Sequence, residues 1–155
     1  MLVSDIMTVG AYTCPRAATA KRAALMMVEN KVGFMPVVDD EGRLIGVITD
    51  RDLATKVLGE GLSPSTPIYQ VMSTTVRTVF EDDPEIMAED IIVESRLSRL
   101  VVIDREKHCK GIVSLTDIAM ARSPIRAGRL LHEVVQRKAR GQTGNYETPS
   151  ITGQL

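Results

Sequence analysis

The feature that most constrains this chain is an ungapped internal repeat. Ile6-Met7-Thr8 returns as Val71-Met72-Ser73, and Pro36-Val37-Val38-Asp39 returns as Val101-Val102-Ile103-Asp104. Gly46-Val47-Ile48-Thr49 returns as Gly111-Ile112-Val113-Ser114, and Asp52-Leu53-Ala54 as Asp117-Ile118-Ala119. Met7 and Met72, Pro36 and Val101, Gly46 and Gly111, and Asp52 and Asp117 all stand 65 positions apart. Thr13 with Thr78 and Ala23 with Ala88 keep the same register. One register held across four separated segments makes the chain two copies of one unit. A copy of roughly 60 residues buries too little surface to be comfortably stable alone, so the copies are expected to pack together.

Each copy reads as β-α-β-β-α. Short extended stretches are expected around 11–13 and 76–79. Ala20, Ala23, Ala24, Met27 and Val28 recur at helical spacing, which predicts an amphipathic helix over 17–30. Its counterpart opens on Asp83-Pro84, read as an N-cap and first-turn pair, and carries Ile86, Ala88, Ile91 and Ile92. The apolar runs 35–39 and 100–104 suit strands buried on both faces. Polar turns lead to return strands at 44–49 and 110–114, and helices are expected from 50 to 58 and from 115 to 121. The fold class is α+β. Hydrophobic residues make up 44% of the chain and aromatics 3%, with no Trp, so the core must come from Val, Ile, Leu and eight Met.

Gly59-Glu60-Gly61-Leu62-Ser63-Pro64-Ser65-Thr66-Pro67 reads as the linker. The expected organisation is a first repeat over 1–60, a second over 61–123, and a C-terminal segment over 124–155. In that segment Ile125, Leu130, Leu131, Val134 and Val135 are expected on one side of a helix reaching about Arg140, with disorder from Gly141 onward.

The chemically informative phrase is Gly-apolar-apolar-Thr/Ser-x-x-Asp, at Gly46–Asp52 and again at Gly111–Asp117. It runs from a buried strand into a helix start, where backbone N–H groups are unpaired and an anion is favoured. The hydroxyl of Thr49 or Ser114 can donate to a phosphate oxygen. The carboxylate of Asp52 or Asp117 can accept from two vicinal hydroxyls, as on a ribose. The same pattern is also a helix-capping pattern. The glycine admits a ligand or a neighbouring backbone at close range.

With these phrases, Val32-Gly33-Phe34-Met35-Pro36-Val37-Val38-Asp39 and Leu44–Asp52, the chain resembles a tandem pair of CBS domains, a Bateman module of stand-alone type, over about 3–122. The resemblance implies two β-α-β-β-α units with pseudo-two-fold symmetry. It also implies clefts that bind AMP, ADP, ATP, S-adenosylmethionine or a related adenosyl ligand, and a homodimer of stacked pairs. Carried over, one cleft would set Thr49, Arg51 and Asp52 against Thr78, Val79, Ser98, Arg99 and Leu100. The other would set Ser114 and Asp117 against Thr13, Cys14, Gly33, Phe34 and Met35. Arg51 and Arg99 mark the first as the phosphate-bearing cleft, because a desolvated phosphate needs cationic or N–H donors. The second has Leu115 and Thr116 inside its motif, and Phe34 in place of Arg99. Val101 in place of Pro36 and Ser114 in place of Thr49 depart from the family pattern.

The expected function is therefore a non-catalytic regulatory module for an adenosine nucleotide, acting on a regulated protein that the sequence does not name. The other readings are a sensor of S-adenosylmethionine or an NAD-type ligand, a ligand-free dimerisation module, and a nucleic-acid regulator using the basic stretch Arg126, Arg129, Arg137, Lys138 and Arg140. No catalytic set, required cofactor or metal site is expected. His108 and His132 are the only histidines, and no P-loop or dinucleotide fingerprint occurs. Lys and Arg number 19 against 20 Asp and Glu, so no global charge calls for nucleic acid or an anionic membrane. Two distant cysteines, no leader-like segment and no long apolar run suit a cytoplasmic protein.

Overall fold

The computed structural model describes residues 1–141, with side chains to residue 136. The expected loss of order beyond Gly141 lies outside the described residues, as do the side chains of Arg137, Lys138 and Arg140. The described residues form seven short strands and five α-helices, in which the expected β-α-β-β-α order occurs twice, with β1 and α5 added to it: β1 (Thr8–Val9), β2 (Cys14–Pro15), α1 (Ala20–Asn30), β3 (Phe34–Val38), β4 (Leu44–Thr49), α2 (Asp50–Asp52), β5 (Thr78–Phe80), α3 (Glu85–Ser95), β6 (Arg99–Ile103), β7 (Cys109–Ser114), α4 (Leu115–Met120) and α5 (Pro124–Gly141). The fold is mixed α+β, as expected.

The chain forms two compact units. One comprises Ala11–Val76 with Glu106–Cys109. The other comprises Met1–Gly10, Arg77–Arg105 and, among the described residues, those from Lys110 to Gly141. The opening stretch of the first copy thus belongs to the unit built mainly from the second copy. The corresponding stretch of the second copy, through Val71-Met72-Ser73, belongs to the unit built from the first.

In the unit containing Ala11–Val76 the sheet order is β2-β3-β4. β2 pairs parallel to β3, with Cys14 opposite Val37, and β3 pairs antiparallel to β4, with Phe34 opposite Thr49. β3 and β4 are apolar on both faces, as their uninterrupted sequences predict; Met35, Val37 and Ile48 are fully buried. α1 is capped by Thr19, whose hydroxyl accepts from Arg22 N–H at 3.1 Å, and lays Ala20, Ala23 and Met27 on the sheet. α2 runs directly into a π-helical turn, Leu53–Leu58, marked by Gly59 N–H donating to Ala54 C=O at 2.9 Å.

In the other unit the sheet order is β1-β7-β6-β5. β5 pairs parallel to β6 and β1 antiparallel to β7. The core gathers Val3, Val79, Ile92, Leu100, Val102, Val113 and Ile118. α3 begins differently from expectation. Pro84, not Asp83, is its N-cap and offers no side-chain cap. The Asp83 carboxylate instead accepts from Phe80 N–H at 3.0 Å, tying the preceding turn. α1 and α3 both end on a non-glycine residue in the left-handed region, Lys31 (φ 54°) and Arg96 (φ 59°), again 65 positions apart.

α5 corrects one expectation. Leu130 and Val134 are buried in the unit's core, whereas Ile125, Leu131 and Val135 are exposed. The five apolar residues therefore do not share one side. Arg122, half-buried just before α5, holds Glu85 at 2.9 Å and Glu89 at 2.6 Å on α3. No helix among the described residues is long and apolar enough to cross a membrane.

Candidate functional site

The two hydroxyl–carboxylate phrases adopt the same local geometry. At the first, Thr49 is an extended N-cap. Its hydroxyl accepts from Asp52 N–H at 3.0 Å, and both its N–H and its hydroxyl donate to Asp52 Oδ2, at 2.9 and 2.7 Å. At the second, the Ser114 hydroxyl accepts from Asp117 N–H at 3.2 Å, and its N–H and hydroxyl donate to Asp117 Oδ2 at 2.8 and 2.6 Å. Both are complete capping boxes. A capping role does not by itself exclude a binding role. The box uses one carboxylate oxygen and fixes the side chain, which leaves the second oxygen directed elsewhere.

The second oxygens differ. Asp52 Oδ1 lies 2.9 Å from the Lys56 ammonium, one turn along. Lys56 also donates to Val71 C=O at 3.1 Å and to Ser73 Oγ at 3.2 Å. The residue 65 positions on from Lys56 is Ala121. Among the described residues no cation or donor meets Asp117 Oδ1, and the side chain is partly exposed.

The repeated glycine makes room for backbone. A Cβ at Gly111 would lie 2.4 Å from Thr8 C=O, and one at Gly46 would lie 2.7 Å from Met72 Sδ and 2.9 Å from Ser73 C=O. In each unit the exchanged Met-Thr/Ser stretch crosses the glycine, pairing with β7 at Thr8 and Val9 and with Val47 at Ser73. Of the two roles the sequence allows this glycine, close backbone approach is the one observed. Gly33 has a separate reason. A Cβ there would meet the Asp50 carboxylate at 2.6 Å, while Gly33 C=O accepts from Asp50 N–H at 3.0 Å. The second copy keeps the backbone bond, Leu115 N–H to Ser98 C=O at 2.9 Å, with other side chains.

The remaining residues implied by resemblance divide by unit. Thr13, Cys14, Gly33, Phe34 and Met35 lie with Thr49, Arg51 and Asp52 in one unit. Thr78, Val79, Ser98, Arg99 and Leu100 lie with Ser114 and Asp117 in the other. Cys14, Met35, Val79 and Leu100 are core side chains, so only their backbone could face a ligand. Burial pushes the Cys14 thiol up to about 11. Arg51, Ser98 and Arg99 are exposed. Lys56, Val71 and Ser73 were not expected at the site.

The CBS domain model matches residues 3–59 and 68–123. The chain belongs to the CBS domain family. It is 34% identical over 121 residues to the CBS domain-containing protein YhcV of Bacillus subtilis (strain 168), spanning 76% of this chain and 83% of that protein. Its fold is similar to that of Hypoxic Response Protein I, solved with two coordinated zinc ions (TM-score 0.72, 28% identity, 79% of this chain and 99% of that one). It is also similar to the CBS domain pair of protein MJ0100, solved with 5′-methylthioadenosine and S-adenosyl-L-methionine (TM-score 0.68, 28% identity, 78% and 94%).

Proposed function

We propose that this chain is a non-catalytic regulatory module that binds an adenosine-containing small molecule and acts by shifting its own conformational populations. The observation that carries the reading is the hydroxyl–carboxylate pair, built twice and held rigid by its own capping bonds. At Asp117 the second carboxylate oxygen is fixed in advance and left open among the described residues, so it can accept charge-assisted hydrogen bonds from a vicinal diol without further ordering cost. The MJ0100 pair, similar in fold and 28% identical, holds two ligands that both contain adenosine. Cys14, Met35, Val79 and Leu100 would serve through their backbone, at the wall against which a base packs. A ligand favours whichever arrangement binds it more tightly, and that difference is the whole of its regulatory effect.

A thermal-shift panel with AMP, ADP, ATP, S-adenosylmethionine and NAD tests this reading. A ligand that binds only the folded chain raises the melting temperature by mass action, by about 2.7 kcal/mol of stability at a hundredfold excess over Kd. The expected result is a saturable shift with at least one adenosine compound and none with a pyrimidine nucleotide. No shift with any member of the panel contradicts it.

A further inference from the structure

We infer that Lys56 is a specificity-determining residue: it withdraws the Asp52 carboxylate from ligand recognition, so the ribose of an adenosine ligand is read by Asp117. The inference rests on the adenosine-binding reading above and deepens it. The capping boxes are equivalent, with one carboxylate oxygen of each aspartate held by the N–H and hydroxyl of Thr49 or Ser114. The difference lies in the other oxygen. Lys56 sits 2.9 Å from Asp52 Oδ1, and its remaining donors are committed to Val71 C=O and Ser73 Oγ. An ammonium has three donors and no acceptor. With three oxygens around it, the Lys56 ammonium is satisfied where it stands. A diol approaching Asp52 would have to displace it, or donate to a carboxylate whose charge is already matched. Asp117 faces no such competitor among the described residues, because Ala121 takes the place of Lys56.

The acceptors that hold Lys56 come from the exchanged segment of the second copy. The staple therefore exists only when Val71–Ser73 pairs alongside Val47, as observed. For the ribose, the Lys56 contact ranks Asp117 ahead.

Calorimetric titration of the full chain with AMP, and with 5′-methylthioadenosine, which carries the diol without a phosphate, tests the inference. Four proteins are compared: wild type, Asp52→Asn, Asp117→Asn and Lys56→Ala. Asparagine keeps an oxygen for the capping bonds, but at position 52 its amide nitrogen then faces the Lys56 ammonium, so the melting temperature of each variant is measured beside its binding. The expected result is one diol-dependent site in the wild type. Asp117→Asn weakens it about tenfold or more, the range of a lost charged hydrogen bond. Asp52→Asn changes it less than about threefold, and Lys56→Ala adds a second binding event. Equal weakening by the two aspartate variants, or a larger loss from Asp52→Asn, overturns this inference and leaves the adenosine reading standing. Silence of the wild type with both ligands overturns the adenosine reading and this inference with it.

Discussion

The Lys56 ammonium lies 2.9 Å from Asp52 Oδ1, a contact that the capping box at Ser114 and Asp117 does not have among the described residues. The same ammonium reaches Val71 C=O and Ser73 Oγ, so it joins the first motif to the segment exchanged from the second copy. Lys56→Ala should therefore destabilise its unit as well as free Asp52. The side chain is 37% exposed, so solvent screens the ion pair and the expected loss is about 1 kcal/mol. Urea denaturation of the two proteins measures it. An unchanged midpoint would mean that the staple carries no stability.

The repeated glycine gives a sharper test of the exchange. Gly111→Ala forces a Cβ to within 2.4 Å of the Thr8 carbonyl, which belongs to a paired strand and has little freedom to retreat. Gly46→Ala meets Met72 Sδ first, at 2.7 Å, and the Ser73 carbonyl at 2.9 Å. A methionine tip can rotate away where a backbone carbonyl cannot. Overpacking of about 2–3 kcal/mol is expected at Gly111 and about 1–2 at Gly46. The order, read from denaturation midpoints, is the test, and equal tolerance at both positions would argue that the strands are not apposed as observed.

Much of this was legible in the chain. The 65-residue register located both copies, and uninterrupted apolar runs such as Phe34–Val38 located the buried strands within a residue or two. The Thr/Ser-x-x-Asp phrase was legible both as a cap and as a binding pair. The exchange of Ile6-Met7-Thr8 and Val71-Met72-Ser73 was not. A two-residue strand such as Thr8–Val9 has no periodicity, and its partner is chosen by tertiary packing against Gly111. The role of Lys56 is hidden for the same reason: its acceptors at 71 and 73 come near only after that packing. Asp83-Pro84 misled because a capping aspartate and an aspartate that closes a turn look alike in sequence.

α5 offers a paired comparison on one helix. Leu130 and Val134 are each 3% exposed, whereas Leu131 and Val135 are 46% and 62% exposed. Leu130→Ala should cost about 2–4 kcal/mol through lost burial and the cavity left behind. Leu131→Ala should stay within about 0.5 kcal/mol. Thermal unfolding distinguishes them, and a neutral Leu130→Ala would show that α5 is not docked through this face.

Cys14 supplies a pH dependence. Burial raises its thiol from an ordinary value of 9.0 to about 11. Below pH 9 the thiol is protonated in both folded and unfolded chains and adds no pH dependence. Between 9 and about 11 only the unfolded chain releases the proton, so stability falls as pH rises through that window. In the folded protein Cys14 should resist a thiolate-directed reagent at pH 8 and react fully in denaturant. Rapid modification of Cys14 in the native chain would contradict its burial.

The central claim, that the chain holds an adenosine ligand through its ribose, is tested most directly by equilibrium dialysis. The full chain is dialysed against 5′-methylthioadenosine or AMP, each alongside its 2′,3′-dideoxy counterpart. Saturable retention of the ribose compound with a Kd below about 100 µM is expected, and at least tenfold weaker retention of the compound lacking the diol. Equal retention of the two, or no retention of either at concentrations of about 1 mM, would contradict it.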